Sequence, residues 1–436
     1  MKQAERKASD LDASAHAILS ANDRGGYSVP NGKVYPFQWN WDAAFIAFGY
    51  ASFDRARAWQ ELDMLFLGQW DDGMVPSIVF HKPAENYYPG PAVWGTRHMP
   101  PTTGITQPPV AATAARVLLQ SGGEQAQSQE RARGLFPKLL ASHRWWHETR
   151  DPDASGLVTI VHPWETGRDN SPEWDEPLAR IEPRVEVSRL RKDKTHVNAS
   201  ERPTDDFYNR VMTLVEDAKA LGWRGEDVAR RSSFRVCDIG IQSILLRADR
   251  DLLAMARHFG LAREADAIAQ WIERSLRAFP RLLHQDGIYR SLDHRTGELA
   301  PIATSAGFLP LYARAASAAE AGVLSDHLHG WAGSVRYLVP STAPSAEAFD
   351  PVRYWRGPTW LPINRILADG FAAYGDIATA TRIRRDSRHL VESVGLWEYY
   401  HPMTGAGLGG GEFSWTAAMW LAWIGNDSQP DILTEV

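Results

Sequence analysis

An acidic segment that includes two tryptophans contains the residue types that act on sugars. Residues 164–175 read WETGRDNSPEWD, with carboxyl groups at Glu165, Asp169, Glu173 and Asp175. Asp, Asn and Ser beside Pro favour turns, so the pattern predicts a loop. Indole faces stack on the C–H faces of a pyranose, and carboxyl groups supply hydrogen bonds and protons. The segment is therefore typical of a carbohydrate site, and also of an acidic surface loop with two half-buried tryptophans.

Three further acids lie within a few residues of aromatic side chains. They are Asp42 at the end of FQWNWD, Glu398 in LWEYY, and Glu412 after the glycine-rich run 405–411. Glycoside hydrolysis needs two carboxyl groups, one to protonate the leaving oxygen and one to activate water or attack the anomeric carbon. Together with Asp169, these acids compete for two roles. Each of them taken alone is also compatible with a helix cap or a surface position.

The composition excludes several other classes of protein. The 436 residues carry a net charge of −6 and no basic stripe with interleaved aromatics, so we expect no nucleic acid as a partner. The single cysteine, Cys237, excludes an internal disulfide and a cysteine-based zinc site. The metal motif HExxH is absent, and no Gly-Lys-Ser/Thr follows the glycine run, so we expect neither metal nor cofactor.

The hydropathy pattern predicts a cytoplasmic protein that does not bind membranes. The first 15 residues are polar and charged, and no apolar run approaches the length of a membrane span. The 18 tryptophans indicate a site lined by rings, although a large core would also use many of them. We expect a small-molecule sugar as the ligand, and the sequence leaves a homo-oligomer open.

Helices joined by short connections are predicted along most of the chain, because apolar residues recur at the i, i+3, i+4 spacing. The predicted spans are 10–21, 43–50, 52–70, 108–120, 126–149, 206–222, 237–259, 261–279, 304–321, 323–331, 358–373, 375–394 and 413–424. Short extended pieces are predicted at 74–80 and 156–161, and a hairpin within 283–299. The absence of βαβ alternation indicates an all-α protein with minor β pieces.

About a dozen hairpin-linked helices without a clear linker predict one domain over residues 1–436. They are compatible with an (α/α)6 toroid of six inner and six outer helices, and also with a helical solenoid. Residues 170–206 include a charged run with weak periodicity, which predicts an inserted cap or lid. The alternative is a surface excursion without a role. The long loop 81–107 is rich in Pro, Gly and aromatics, a composition that favours a functional loop.

Five motifs resemble glycoside hydrolase family sixty-three, and within it the bacterial branch of mannosylglycerate and glucosylglycerate hydrolases. The motifs are FQWNWD at 37–42, DGMVP at 72–76, ETGRDNSP at 165–172, YWRGPTW at 354–360 and FSWTAA at 413–418. They follow the family order over nearly the whole chain. Thr166 stands where the family often has Ser, which leaves the acid intact. The family shares its (α/α)6 clan with trehalase.

The resemblance implies an inverting α-glycosidase without a cofactor, acting on a small compatible solute such as mannosylglycerate or glucosylglycerate. It implies that Asp169 is the general acid and Glu398 the general base, with Glu412 as the rival for the second role. The substrate-binding residues that it implies are Tyr35, Trp39, Trp41, Asp42, Tyr88, Gln107, Gly167, Arg202, Tyr208, Tyr354, Trp355, Trp360 and Glu412. Among them, Arg202 would bind the glycerate carboxylate.

Several alternatives remain open at this level. Arg202 could instead form a surface ion pair with Asp205 or Asp206, and Trp355 and Trp360 could be core rings behind the site. Arg356 is a candidate partner of Asp42. For the whole protein, the alternatives are a neutral α-glucosidase or trehalase-like hydrolase, a sugar epimerase or isomerase on the same barrel, and a non-catalytic sugar-binding protein. Glucose and mannose both fit the pattern, because they differ only in the orientation of one hydroxyl.

Overall fold

Helices make up most of the computed structural model, which describes residues 7–120, 125–195 and 197–425. In chain order the helices are α1 (Ala8–Asn22), α2 (Asn40–Ala51), α3 (Arg55–Leu65), α4 (Pro91–Trp94), α5 (Ala111–Gln120), α6 (Gln125–Thr149), α7 (Asp175–Ala179), α8 (Asp205–Ala220), α9 (Gly225–Arg231), α10 (Ile239–His258), α11 (Ala262–Ala278), α12 (Leu309–Tyr312), α13 (Ala318–Ala332), α14 (Leu361–Ala373), α15 (Ile377–Val394) and α16 (Ser414–Met419). Among the described helices, none combines the length and apolar character needed to cross a bilayer.

Short antiparallel strand pairs join some of the helices. The strands are β1 (Gln38–Trp39), β2 (Ile78–Val79), β3 (Val236–Cys237), β4 (Leu292–Asp293), β5 (Trp397–Tyr400) and β6 (Gly407–Gly411). They pair as β1 with β2, β3 with β4 and β5 with β6. The prediction of an all-α fold with minor β pieces is therefore confirmed.

Six of the described helices form a closed inner ring. α2 contacts α5, and the ring continues through α10, α12, α14 and α16 back to α2. These helices are buried almost all round; eleven of the twelve residues of α2 are buried. A helix that is apolar and buried on every side belongs in the interior of a protein. Closure of the ring distinguishes the toroid from an open solenoid.

The remaining long helices of the barrel form an outer layer. Each outer helix packs on the inner helix that precedes it in the chain: α3 on α2, α6 on α5, α11 on α10 and α15 on α14. α13 follows the inner helix α12 in the same order. α1 packs on α16, so the two ends of the described chain complete the layer. α11 is typical, because its buried residues Ile268, Trp271, Ile272 and Ser275 have the spacing of one helical face. The (α/α)6 toroid is confirmed.

The predicted helix over residues 304–321 is wrong. The chain there forms a 3₁₀ turn, Ser305–Phe308, then the single turn α12, and then α13 as a separate helix. Pro310 lies in the first turn of α12, where its missing N–H costs nothing. Ser317 and Glu320 form a capping box that starts α13 afresh. Similarly, the predicted helix 413–424 divides into α16 and a π-helical turn, Trp420–Ile424.

Residues 170–206 differ in structure along their length. Their first part holds the 3₁₀ turn Pro172–Trp174 and helix α7, and the Trp174 side chain is fully buried. In the rest, the described residues form one further 3₁₀ turn, Ala199–Glu201, and lead into α8. The first part thus belongs to the packed core. The assignment of 170–206 as a lid stays a prediction, as does the single domain 1–436, which includes residues outside the described ranges.

Candidate active site

A cavity of about 1010 Å³, its open mouth included, brings together residues from distant parts of the chain. It is lined by twelve of the fifteen residues that the sequence predicts for catalysis or binding: Tyr35, Trp39, Trp41, Asp42, Tyr88, Gln107, Gly167, Asp169, Arg202, Tyr208, Tyr354 and Glu398. The polypeptide therefore folds the separate motifs around one cavity. Three of these residues carry carboxyl groups and one carries a guanidinium group.

The carboxylate of Glu398 is fixed by three hydrogen bonds. The Tyr35 hydroxyl donates to Oε1 at 2.8 Å. Arg202 Nη2 and the backbone N–H of Gly410 both donate to Oε2, each at 3.3 Å. Burial raises the pKa of Glu398, while Arg202, Tyr35 and Gly410 act against that rise. These three donors favour the ionised form that a general base requires.

Strand β6 packs directly on Glu398, because its glycines carry no side chains. Gly409 has a φ of +71°, and a Cβ atom at this position would overlap Oε2 of Glu398. The β5–β6 pairing is irregular between Trp397 and Tyr399, which is where Glu398 lies. The glycine run therefore allows a backbone amide to reach the carboxylate, a close approach that other residues would block.

The loop that carries Asp169 is anchored by the residues on either side of it. The buried Arg168 guanidinium forms ion pairs with Glu173 and Asp238. The Asn170 side-chain oxygen accepts a hydrogen bond from the Trp355 backbone N–H at 2.9 Å. These anchors hold Asp169 at the cavity wall, where its side chain remains partly accessible.

Gly167 contributes to the same loop through its small size. Its φ is +67°, and an added Cβ atom would overlap the indole ring of Trp41. The loop therefore lies against Trp41, which itself lines the cavity beside Asp42. Gly167 lines the cavity through its backbone, and we expect its substitution to displace either the loop or the indole ring.

The electrostatic environment separates Asp169 from an ordinary aspartate. Burial raises the pKa of Asp169 well above its usual range; the Arg202 charge opposes this rise, and Glu398 and Asp42 reinforce it. Burial and the neighbouring Glu398 also raise the pKa of Asp42. A carboxyl group with a raised pKa keeps its proton near neutral pH, as a general acid must. Asp169 thus suits the role of proton donor.

Arg202 is buried at the centre of this cluster, and it is not a surface residue. Its side chain is 3% exposed, and its Nη1 donates to the Tyr35 hydroxyl at 2.6 Å. Its guanidinium carbon lies 5.0 Å from the centre of the Tyr354 ring. The Nε–H has no hydrogen-bond partner among the described residues. The alternative of an ion pair with Asp205 or Asp206 is therefore wrong.

Trp355 and Trp360 do not line the cavity, which corrects their assignment to substrate binding. Their rings stack on each other with centroids 3.8 Å apart and planes within 2°. Both are about 1% exposed. Trp360 also stacks on Tyr399, and its ring meets Tyr354 edge-on. The pair forms the packed layer behind the Tyr354 wall of the cavity.

Glu412 also lies outside the cavity lining. Its carboxylate is 74% exposed, and its nearest charged partner is Lys33 at 3.8 Å. An acid in this position does not contact the site, which corrects its assignment as a binding residue and favours Glu398 over Glu412 as the base.

Arg356, the candidate partner of Asp42, pairs with a different acid. It donates to both carboxylate oxygens of Asp175, at 2.8 and 2.7 Å.

Some lining residues were not predicted. Tyr87 lines the cavity and packs edge-on against Trp39, and its place in the aromatic loop 81–107 was the available signal. Asp193 also lines the cavity, and Arg191 donates to both of its carboxylate oxygens, at 3.0 and 2.6 Å. Arg191 lies over the Tyr208 ring at 3.8 Å. In the sequence, Asp193 is one charge within a charged run, and nothing there distinguishes it.

Comparison with known proteins decides the family. Residues 35–416 match the model of the mannosylglycerate hydrolase MGH1-like glycoside hydrolase domain. The chain belongs to this family. Mannosylglycerate hydrolase MGH1 of Selaginella moellendorffii is 47% identical over 96% of the chain and 86% of its own length. Glucosylglycerate hydrolase of Mycolicibacterium hassiacum is 33% identical over 95% of the chain and 98% of its own length. The protein is therefore a glycoside hydrolase.

Solved structures support the same assignment. The GH63 mannosylglycerate hydrolase of Thermus thermophilus, in complex with Tris and D-glycerate, superposes with a TM-score of 0.91 at 46% identity, over 95% of this chain and 99% of that one. Neutral trehalase Nth1 of Saccharomyces cerevisiae is 15% identical with a TM-score of 0.58, covering 95% and 80%, and shows a shared fold. The described residues contain no group of three or more His, Cys, Asp or Glu side chains that could hold a metal ion.

Proposed function

We propose that this glycoside hydrolase cleaves a small α-glycoside of glycerate to the free sugar and glycerate, with inversion at the anomeric carbon. The observation that carries the proposal is the cavity that holds Asp169, Glu398 and a buried arginine, Arg202, with an unpaired N–H. Relatives with 33–47% identity are named mannosylglycerate or glucosylglycerate hydrolases, and one homologous structure holds D-glycerate. These similarities support glycerate as the aglycone.

The reaction divides between the two acids. Asp169 gives its proton to the glycosidic oxygen as the bond from that oxygen to the anomeric carbon breaks, and the bonding pair leaves with glycerate. Glu398 takes a proton from a water molecule, whose oxygen bonds to the anomeric carbon from the opposite face. An α-glycoside then yields the β-sugar. In inverting enzymes the two carboxyl groups are about 6.5–9.5 Å apart, which leaves room for the water.

Arg202 is the residue proposed to recognise glycerate. A guanidinium group binds a carboxylate through two parallel N–H bonds, and Arg202 has donors left beyond those that hold Tyr35 and Glu398. The aromatic side chains of Tyr88, Tyr208 and Tyr354 line the cavity around it and would enclose the small aglycone. The sugar would be bound by other predicted residues of the lining, namely Trp39, Trp41, Asp42 and Gln107.

The function is tested by a panel of α-mannosides and α-glucosides of glycerate, with trehalose as the neutral disaccharide. NMR recorded within the first turnovers reads the anomer before mutarotation. We expect hydrolysis of a glycerate glycoside with the β-anomer appearing first. Initial release of the α-anomer would contradict inversion. Cleavage of trehalose without cleavage of any glycerate glycoside would select the neutral glycosidase instead.

Replacing Arg202 by glutamine is expected to raise KM for a glycerate glycoside about 10-fold more than KM for a neutral aryl glycoside of the same sugar. The variant loses the charge that binds the carboxylate. It also loses a donor to Glu398, so kcat should fall for both substrates. Because the Arg202 charge lowers the pKa of both Asp169 and Glu398, both limbs of the pH profile of kcat/KM should move to higher pH.

The matched control is Arg184→Gln, which removes an exposed arginine paired with Asp217 in the same segment of chain. It should leave KM and the pH profile at the parent values. An equal rise of KM for the charged and the neutral substrate in Arg202→Gln would show that Arg202 does not recognise the carboxylate.

The described lining contains no histidine, which disfavours an isomerase or epimerase that works with a pair of histidines. We further propose that the substrate is a compatible solute, as the resemblance to family sixty-three implies, and that the enzyme acts in the cytoplasm. The choice between mannose and glucose is an outcome of the substrate panel.

A further inference from the structure

Glu201 links three parts of the structure that surround the base, although it does not itself line the cavity. Its carboxylate Oε2 accepts a hydrogen bond from the backbone N–H of Gly409 at 2.8 Å. Its backbone carbonyl accepts one from the Tyr399 hydroxyl at 3.1 Å. Glu201 ends the 3₁₀ turn Ala199–Glu201, so these two bonds connect the segment before α8 to strands β5 and β6.

Both bonds lie next to groups that hold Glu398. Arg202 follows Glu201 directly in the chain, and Gly410 follows Gly409. Arg202 Nη2 and the Gly410 N–H are the two donors to Oε2 of Glu398. The bond between Glu201 and Gly409 therefore restrains the distance between the two donors, which bind the same oxygen of Glu398.

We propose that Glu201 is a positioning residue of the reaction, which acts by holding the glycine strand β6 and Arg202 in the places from which they bind Glu398. The proposal rests on the function proposed above, in which Glu398 is the base. Glu201 touches neither the cavity nor the reacting atoms. Its effect passes through the Gly409 amide on one side and through Arg202 on the other.

The composition of β6 explains why an outside contact is needed. The strand reads GLGGG, and glycine has more backbone freedom than any other residue. Among the described strands, β6 pairs only with β5, and that pairing is irregular beside Glu398. A hydrogen bond from a side chain outside the hairpin restricts this freedom. A displacement of about 1 Å in a catalytic group can cost about 100-fold in rate, so such a restraint has a measurable effect.

The charge of Glu201 provides a second, separable effect. The negative charge of Glu201 adds a small upward contribution to the pKa of Glu398, after burial, which is the main cause of its rise. Glutamine at this position keeps an oxygen that accepts the Gly409 N–H but removes the charge. Alanine removes both. The two substitutions therefore distinguish the hydrogen bond from the electrostatic effect.

The experiment compares Glu201→Ala and Glu201→Gln in the full-length enzyme, with a glycerate glycoside as substrate. Glu201→Ala is expected to lower kcat by about 10- to 100-fold, while KM changes by less than about 3-fold. Glu201→Gln should recover most of that loss. Its acid limb of kcat/KM should move to lower pH, because a base with a lower pKa is ionised at lower pH.

The control is Asp206→Asn, which removes an exposed carboxylate of α8 that pairs with Arg210. It should leave kcat and the pH profile unchanged. The proposal would be overturned if Glu201→Ala had the kcat of the parent enzyme. It would also be overturned if Glu201→Gln were as slow as Glu201→Ala and the acid limb of its pH profile had not moved. If Glu201→Ala does not fold, as judged by thermal unfolding, Glu201→Asp replaces it, because aspartate keeps the charge but its shorter side chain cannot reach the Gly409 N–H in the same way. Glu201→Asp should lower kcat with little change in KM, and parent kcat would overturn the proposal.

Failure of this inference is distinguishable from failure of the proposed function. Parent activity in Glu398→Ala would remove Glu398 as the base, and with it the premise. An inactive Glu398→Ala together with a fully active Glu201→Ala would leave the proposed function intact and overturn only the role of Glu201.

Discussion

Replacing Asp169 by asparagine is expected to lower kcat for a glycerate glycoside by about 10³-fold. Asparagine has nearly the same shape, but it cannot give a proton to the departing oxygen. The glycerate alkoxide is a poor leaving group, so the loss of its proton donor falls on the bond-breaking step. Because the loop is anchored through Arg168 and Asn170, the fold should be unaffected. Steady-state kinetics measures the loss.

A substrate with a good leaving group tests whether the loss is one of proton donation. The α-glycosyl fluoride of the same sugar needs little protonation, and its kcat should fall by less than about 10-fold in Asp169→Asn. Asp175→Asn is the matched control, since Asp175 belongs to the same segment, is half-exposed and pairs with Arg356. Equal losses on the fluoride and on the glycerate glycoside would show that Asp169 is not the acid.

The local elements of the fold are predictable from the sequence, whereas their closure into a ring is not. Helical spacing identifies most of the long helices, because one buried face leaves a periodic pattern. Closure depends on α2 packing against α16, two helices separated by more than 300 residues, and no local pattern encodes that contact. The prediction of one helix over 304–321 is wrong, because it follows the periodicity of Ala and Leu. Pro310 and the capping box at Ser317 are signals that new helices start within this range.

The site shows a similar division. The motifs predicted Asp169 and Glu398, and the cavity contains both. The roles of aromatic residues within a motif were harder to predict, because a ring that lines a site and a ring that supports it have the same composition. Trp355 and Trp360 proved to be supporting rings, since their mutual stacking leaves them about 1% exposed. Burial by the tertiary structure distinguishes the two cases.

Contacts to backbone atoms were beyond prediction. Glu201 reads as one charge beside Arg202, and its partner is the amide of Gly409, a group that every residue except proline possesses. A backbone donor does not require a particular residue type, so the sequence does not reveal such a bond. The same is true of the Gly410 amide that donates to Glu398. Only the folded structure reveals these bonds, because Glu201 and Gly409 are 208 positions apart and Gly410 reaches Glu398 across the irregular β5–β6 pairing.

Replacing Glu398 by alanine is expected to lower kcat by about 10³-fold, because the variant lacks the carboxylate that takes the proton from the attacking water in the proposed reaction. The substitution leaves Arg202 and the Gly410 amide without the carboxylate that they now bind. It also opens space next to the anomeric carbon. The proton donor remains, so the variant should still break the glycosidic bond when a nucleophile that needs no base is supplied.

Azide is such a nucleophile, and it tests whether Glu398 acts on the face of the sugar opposite the leaving group; the anomer first released by the parent enzyme then distinguishes a base from a nucleophile. Added azide should raise the rate of Glu398→Ala, and attack from the face opposite the leaving group should give the β-glycosyl azide, which NMR identifies. Glu412→Ala is the matched comparison, because Glu412 is the rival acid and its carboxylate is 74% exposed beside Lys33. Azide should leave the rate of Glu412→Ala unchanged. Rescue of Glu412→Ala together with no rescue of Glu398→Ala would reverse the assignment. An α-azide from Glu398→Ala would show attack from the face of the leaving group, as on the covalent intermediate of a retaining enzyme in which Glu398 is the acid–base residue.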